Sequence, residues 1–300
     1  MRSLIAKLVI AIIILTVLGV GVFGFVNFRQ PALVAPSLIE KPKDLGPRQQ
    51  VLGTSVEGRD ITAYIYGNGK TLLLFVGGMH GGYEWNSVLI AYQFMDYLKE
   101  NTDVVVPKNL TITVIPSANP DGVYAVIGKE GRFSVTDIPI KKGVVGLGRF
   151  NAHGVDLNRN FDCQWQPTSL WKAKKVSAGS GVFSEPETMA IRDFVLENSP
   201  KAVVFWHSQA NAVYASKCEA GVLPLTFDIM NAYSRASGYP AVKSFDSYEI
   251  TGDAEGWLAS INIPAITVEL KTHETIEWEQ NLSGIKALFE YYKYYNQKTE

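Results

Sequence analysis

The sequence predicts an α/β protein in which helices cover both faces of a β-sheet. Short apolar runs rich in β-branched residues alternate with segments whose apolar residues recur at helical spacing, a pattern typical of covered sheets. No internal repeat and no second linker follows residue 48. We therefore expect one domain over residues 48–300.

The elements follow in order along the chain. Glycine-containing turns at residues 57–58 and 67–69 separate the first three apolar runs, which favours strands. The predicted strands are Gln50–Ser55, Ile61–Tyr66, Thr71–Val76, Leu110–Ile115, Ala202–Trp206 and Ile263–Leu270. The predicted helices are Val88–Leu98, Glu185–Glu197, Leu223–Ser237 and Leu282–Tyr295.

Composition excludes several classes of protein. The chain carries 28 basic and 29 acidic side chains, and no lysine or arginine cluster supplies the positive field that a phosphate backbone requires. We therefore expect no nucleic-acid partner. With 47% hydrophobic and 19% charged residues, the chain is globular rather than disordered or collagen-like.

The first 28 residues predict a transmembrane anchor or a signal segment. Residues 8–26 are apolar except for one threonine and three glycines, which is long enough to cross most of a bilayer. The sequence after this stretch offers no good cleavage site, so we favour an uncleaved anchor, with a secreted protein as the alternative. Arg2 and Lys7 precede the stretch, and Arg29 follows it, which favours an extracytoplasmic domain. Residues 29–47 are rich in proline and are interpreted as a tether.

The two cysteines, Cys163 and Cys218, exclude a cysteine-rich zinc module. In an exported domain each has the other as its intramolecular partner, so we expect a disulfide that closes a loop of about 55 residues. Two separate buried thiols are the alternative.

Two histidines directly follow predicted strands. His80 comes after residues 71–76, His207 follows residues 202–206, and Glu84 lies four residues beyond His80. Strand ends are where α/β proteins bind ligands. Two histidines and one glutamate form an open catalytic zinc site, with the fourth position left for water. The sequence therefore offers His80, Glu84 and His207 as a candidate zinc site. The alternative is a loop histidine followed by a glutamate that the dipole of a helix start favours.

Five segments in this order resemble the zinc metallocarboxypeptidase family. The similarity extends over about residues 50–290, and the stretch Gly-Val-Asp-Leu-Asn-Arg-Asn-Phe is its most specific part. The segments are Asn119-Pro120-Asp121-Gly122, residues 149–161, residues 183–188, His207-Ser208 and Ile266-Thr267-Val268-Glu269-Leu270. The resemblance implies a mixed, mostly parallel sheet of about eight strands between helices, and hydrolysis of the C-terminal bond of peptides.

The resemblance also implies that His80, Glu84 and His207 hold one zinc ion, and it implies roles for the residues around the metal. Glu269 would act as general base and acid beside the zinc-activated water. Arg149 would stabilise the oxyanion, and Asp156 would accept the spare N–H of His80.

Four further residues would bind substrate by the same resemblance. Asn158 and Arg159 would hold the terminal carboxylate, and Tyr248 would close over the substrate. Glu255 would lie at the floor of the side-chain pocket, which predicts a preference for C-terminal Lys or Arg, or for the amine of diaminopimelate in wall peptides.

One departure from the family motif concerns the metal site. The usual motif has two residues between the first histidine and the glutamate, whereas Gly81, Gly82 and Tyr83 make three here. Glu84 is the only local carboxylate, and two glycines allow the turn to absorb the extra residue. His153 and His273 are interpreted as polar surface groups.

Two other functions remain open at this point. The protein could cleave the stem peptides of peptidoglycan, as some family members do. It could also be a non-catalytic, membrane-tethered domain that binds peptides, although such a domain would not need Glu269 or Arg149.

Overall fold

A computed structural model describes residues 47–139 and 146–295 of the chain. The predicted anchor (1–28) and the predicted tether, apart from its last residue, lie outside the described residues. Within the two described ranges, every helix is too short or too polar to cross a membrane.

The sheet has eight strands and is mixed, as the family resemblance implies. Its order is β1-β2-β4-β3-β7-β10-β8-β9, and the four central strands β4, β3, β7 and β10 run parallel to one another. Strands β1 and β2 pair in antiparallel fashion at one side, and β8 is antiparallel to β10 at the other. Strands β5 and β6 form a separate hairpin. The strands are β1 (Arg48–Thr54), β2 (Asp60–Gly67), β3 (Thr71–Val76), β4 (Leu110–Ile115), β5 (Thr168–Trp171), β6 (Lys174–Ser177), β7 (Ala202–Ser208), β8 (Ala212–Ala215), β9 (Ala241–Val242) and β10 (Ala265–Leu270).

In residues 47–139 and 146–295, six α-helices pack on the two faces of the sheet. One apolar core contains side chains of α1, α2, α4 and α6, and the other contains side chains of α3 and α5. The helices are α1 (Trp85–Val105), α2 (Pro120–Ile127), α3 (Pro186–Asn198), α4 (Pro224–Ser237), α5 (Ala254–Ser260) and α6 (Trp278–Tyr295). The prediction of an α/β domain covered on both faces is confirmed.

Strand β3 shows why the central strands are mostly apolar on both faces. Leu73 and Phe75 belong to the first core, whereas Leu74 and Val76 belong to the second. Because successive side chains of a strand point to opposite faces, a strand with two covered faces needs apolar residues at every position. Each fully buried side chain of this kind contributes about 1.5–3 kcal/mol relative to an exposed one.

A disulfide joins Cys163 to Cys218, as the sequence predicts. Residues 161–163, the loop that contains the first of these cysteines, are also linked to the segment before α5 by two backbone hydrogen bonds. Phe161 N donates to Gly252 O (2.9 Å), and Gly252 N donates to Cys163 O (2.7 Å). The loop after the Asn-Arg-Asn-Phe motif is therefore fixed to two distant parts of the chain.

Candidate active site

The carboxyl ends of three neighbouring parallel strands bring the predicted catalytic residues together. His80 follows β3, His207 lies near the end of β7, and Glu269 lies near the end of β10. His207 and Glu269 are directly opposite each other in the parallel register. The topology therefore places an imidazole and a carboxylate side by side at the edge of the sheet where ligands bind in open α/β folds.

His80, Glu84 and His207 form a compact, buried group. Their potential ligand atoms all lie within 4.8 Å of one another. Glu84 Oε2 is 3.0 Å from His207 Nδ1 and accepts a hydrogen bond from the backbone N–H of Ser208 (3.2 Å). Two imidazoles and one carboxylate at this separation fit the donor set of an open zinc site.

The charge state of each imidazole reflects its neighbours. Burial, together with Arg149, holds the pKa of His80 well below its ordinary value. Burial alone would lower the pKa of His207, but the carboxylates of Glu84 and Glu255 raise it well above the ordinary value. A metal ion between these groups would replace the proton that His207 otherwise shares with its acidic neighbours.

The two glycines after His80 allow the chain to place Glu84 correctly. Residues 81–84 form one 3₁₀ turn, and Gly81 has a φ of +46°, which side chains rarely permit. A Cβ on Gly81 would lie 2.5 Å from the carbonyl oxygen of Gly148, and a Cβ on Gly82 would lie 2.6 Å from the side chain of Val126. The extra residue of the turn is accommodated because both positions lack side chains.

Asp156 connects His80 to Arg149. Its Oδ1 lies 3.5 Å from His80 Nδ1, and its Oδ2 accepts a hydrogen bond from Arg149 Nε (3.0 Å) and lies 2.8 Å from Arg149 Nη2 in the same ion pair. Arg149 Nη1 is 3.9 Å from Glu84 Oε1, so the remaining N–H groups of the guanidinium face the metal site. All of these side chains are buried, which strengthens their electrostatic interactions.

Glu269 has the properties of a proton acceptor and donor. Its Oε2 is buried and has no hydrogen-bond partner in the described part of the chain. Burial and the nearby Glu84 carboxylate raise the pKa of Glu269 to about 8. A carboxyl group whose pKa lies near neutrality is well matched to transferring protons at physiological pH.

The site opens into a cavity of about 920 Å³ that is large enough for several residues of a peptide. The predicted binding residues Asn158, Arg159, Tyr248 and Glu255 all line it. The ring of Tyr248 is half-buried and packs edge-on against Phe245, with 4.9 Å between centroids.

The side chains of Asn158 and Arg159 already have partners within the protein. Asn158 Oδ1 accepts a hydrogen bond from Ala254 N (2.9 Å) at the start of α5. Arg159 donates to the main-chain oxygens of Leu170 and Asn158. A substrate carboxylate would therefore have to use the remaining N–H groups of the guanidinium.

Three residues for which the sequence predicted no role in the site also line the cavity: Tyr83, Trp171 and His273. His273 packs against the ring of Tyr83 (4.8 Å between centroids), and its Nδ1 is 2.7 Å from Ser208 Oγ. The interpretation of His273 as a surface group is therefore wrong, because the turn after β10 folds back over the site. Trp171 packs against Tyr83 (5.1 Å) and lies under the Arg149 guanidinium (4.6 Å). His153 is exposed and pairs with Glu185, as expected of a surface group.

Comparison with known sequences and structures agrees with this geometry. A family model described as zinc carboxypeptidase matches residues 47–287. The γ-D-glutamyl-L-diamino acid endopeptidase 1 of Lysinibacillus sphaericus is 25% identical over 242 residues, which cover 73% of this chain and 59% of that protein. The carboxypeptidase N catalytic chain of Homo sapiens is 27% identical over 208 residues, which cover 65% of this chain and 40% of that protein. The chain thus matches less than two thirds of the length of either relative.

Solved structures share the fold. The murein-tripeptide amidase of Escherichia coli O157 superposes with a TM-score of 0.57 at 22% identity, covering 83% of this chain and 96% of that one. The bovine thrombin-activatable fibrinolysis inhibitor superposes with a TM-score of 0.64 at 20% identity, covering 83% of this chain and 88% of that one.

Proposed function

This chain belongs to the zinc carboxypeptidase family of peptidases, and from that membership we propose that it is a zinc-dependent enzyme that removes the C-terminal residue of peptides. The observation that supports this best is the meeting of His80, Glu84 and His207 within 4.8 Å, beside Glu269 and at one end of a large cavity. We expect one zinc ion per chain.

The protein's own residues supply the proton transfer and the charge stabilisation. Bound zinc would lower the pKa of a water molecule and polarise the substrate carbonyl. Glu269 would take a proton from the attacking water and return it to the leaving amine, and proton transfer of this kind contributes about 10²–10⁴-fold to rate. Arg149, held by Asp156, donates hydrogen bonds to the carbonyl oxygen as negative charge develops there.

Substrate would be held by the opposite wall of the cavity. The remaining N–H groups of Arg159 attract the terminal carboxylate, and Tyr248 covers the bound residue. Tyr83 and Trp171 supply an apolar wall near the metal site that excludes water from the reacting bond.

A second candidate is the cleavage of peptidoglycan stem peptides. It is favoured by the names of two relatives, the γ-D-glutamyl-L-diamino acid endopeptidase and the murein-tripeptide amidase, both of which align with most of this chain. The two candidates share the metal chemistry and differ in the groups that surround the scissile bond.

A non-catalytic peptide-binding role is disfavoured by the site itself. A binding domain has no need of a buried carboxylate with a pKa near 8 next to a metal site, nor of a guanidinium aimed at the same point.

One substrate screen tests the proposal. Zinc-loaded protein should be assayed on matched peptides that end in Lys, Arg, Phe or Leu, and on stem peptides that contain γ-linked glutamate and diaminopimelate. Release of free C-terminal residues from the ordinary peptides supports a carboxypeptidase. Cleavage of the stem peptides alone supports the second candidate, and stoichiometric zinc with no turnover on any substrate would contradict both.

We also propose that residues 1–28 anchor the enzyme in a membrane with its catalytic domain outside the cytoplasm. The apolar stretch at residues 8–26 supports this, and so does the disulfide, because disulfides persist mainly in oxidising compartments. Membrane fractionation of the full-length chain, compared with a chain that starts at residue 45, tests the anchor. Recovery of a shortened chain, without the N-terminal segment, in the soluble secreted fraction would favour a cleaved signal segment.

A further inference from the structure

Glu255 lies deep beside the metal site and not at a free pocket floor. Its side chain is at the start of α5 and the residue is only 5% exposed. Its Oε1 accepts a hydrogen bond from Thr267 Oγ1 (3.0 Å), and its Oε2 accepts one from Asn158 Nδ2 (3.3 Å). Both carboxylate oxygens are therefore engaged within the protein.

The same carboxylate faces one of the metal-binding imidazoles. Glu255 Oε1 is 3.3 Å from His207 Nε2, while Glu84 Oε2 is 3.0 Å from Nδ1 of the same ring. His207 Nε2 is buried and makes no well-aligned hydrogen bond to any residue that the structure describes, and Glu255 Oε1 is an acceptor within reach of it. The ring thus lies between two carboxylates, one on the metal side and one behind it.

A neutral imidazole has a single N–H, and a nitrogen that binds a metal must be unprotonated. With Glu84 on the side of Nδ1, metal binding through Nδ1 leaves the proton on Nε2, where Glu255 can accept it. We propose that Glu255 is a positioning residue that orients His207 and fixes its tautomer for zinc binding, instead of selecting the side chain of the substrate. This inference rests on the proposed zinc site.

Residues from other elements hold Glu255 in this role. Thr267 is on β10, two residues before Glu269, and Asn158 belongs to the signature loop. The side chains of Thr267 and Asn158 both donate hydrogen bonds to Glu255, and these bonds fix its carboxylate behind His207. Two other carboxylates of the same segment, Asp253 and Glu249, also line the cavity; Asp253 accepts a hydrogen bond from Gly256 N (2.7 Å), and Glu249 is exposed.

Zinc affinity is the quantity that separates the two roles. The dissociation constant for zinc should be measured by chelator competition for the wild type, Glu255→Ala, Glu255→Gln and Thr267→Val. Loss of a partner behind a metal-binding histidine typically weakens metal affinity about 10–100-fold, which we expect for Glu255→Ala. Glu255→Gln should lose less, because its amide oxygen still accepts from Nε2, and Thr267→Val should show a smaller loss in the same direction.

The matched control is Glu249→Gln, which removes an exposed carboxylate from the rim of the same cavity and should leave zinc affinity unchanged. Circular dichroism of the zinc-free proteins checks folding, and Glu255→Gln and Thr267→Val decide the matter if Glu255→Ala does not fold. The proposal is overturned if the folded Glu255 variants bind zinc with a dissociation constant within twofold of the wild-type value. If these variants also lose the selection between peptides that end in Lys and in Leu, Glu255 selects the substrate side chain instead. In that case the wild type still binds zinc and the proposed function stands. A wild type that binds no zinc would overturn both.

Discussion

Removing the disulfide between Cys163 and Cys218 should strongly destabilise the domain. The two residues are 55 apart in sequence. In the loop-entropy model, a closed loop of this size lowers the entropy of the unfolded chain by an amount worth about 4 kcal/mol at 25 °C. For a domain of this size, about 1 kcal/mol corresponds to a shift in Tm of roughly 2–4 °C, so the expected fall is roughly 8–16 °C.

Urea unfolding of the wild type and of a variant with both cysteines changed to alanine measures the loss. Wild-type protein in reductant is the matched control, because it keeps both sulfur atoms and loses only the bond. It should unfold at nearly the same urea concentration as the variant. Two reactive thiols in the denatured, unreduced wild type would refute the reasoning, as would a loss of stability below about 1 kcal/mol in both samples.

Two further predictions concern the turn that places Glu84 and the titration of Glu269. Gly82→Ala should abolish stoichiometric zinc binding, because the new Cβ would lie 2.6 Å from the Val126 side chain. The control is Gly181→Ala, whose Cβ would have no atom within 4 Å and which should bind zinc normally. Equal zinc content in the two variants would contradict this prediction. In the zinc-free protein the pKa of Glu269 is raised to about 8, above the value of about 4.3 for an unfolded chain, so the folded state binds this proton more tightly. The resulting stabilisation is complete below about pH 4 and is lost as the pH rises to about 8. Over this range the Tm of the zinc-free wild type should therefore fall relative to the Tm of zinc-free Glu269→Gln. Identical pH profiles for the two proteins would count against the shifted pKa.

The central strands could be predicted from sequence because both of their faces are covered. Strand β3 has the bounds that its apolar run predicts, and β4 does as well. Strand β9 was not predicted, since two residues at the edge of a sheet leave no pattern. Helix α5 was also missed, because seven residues with an internal glycine do not establish a helical period.

The candidate metal ligands were predictable for a related reason. His80 and His207 follow strands whose ends must meet, and Glu84 is tied to His80 by a short turn. The position of His273 was not predictable, since it depends on packing against Tyr83 and Ser208 from other parts of the chain.

The position of Glu255 at the cavity was predictable from sequence, but the direction of its side chain was not. Its distance from Tyr248 along the chain places it at the cavity, as the resemblance implies. The direction of its carboxylate is set by Thr267 and Asn158, which come from two other elements, so no local pattern encodes it.

The measurement that tests the central claim most directly is zinc content together with peptide hydrolysis for three proteins: the wild type, Glu269→Gln and His80→Ala. We expect one zinc per wild-type chain with turnover. Glu269→Gln should keep its zinc and lose about 10²–10⁴-fold or more in kcat, because only the proton acceptor is removed. His80→Ala should lose the metal and the activity together. Substantial turnover by Glu269→Gln, or stoichiometric zinc in His80→Ala, would contradict the account.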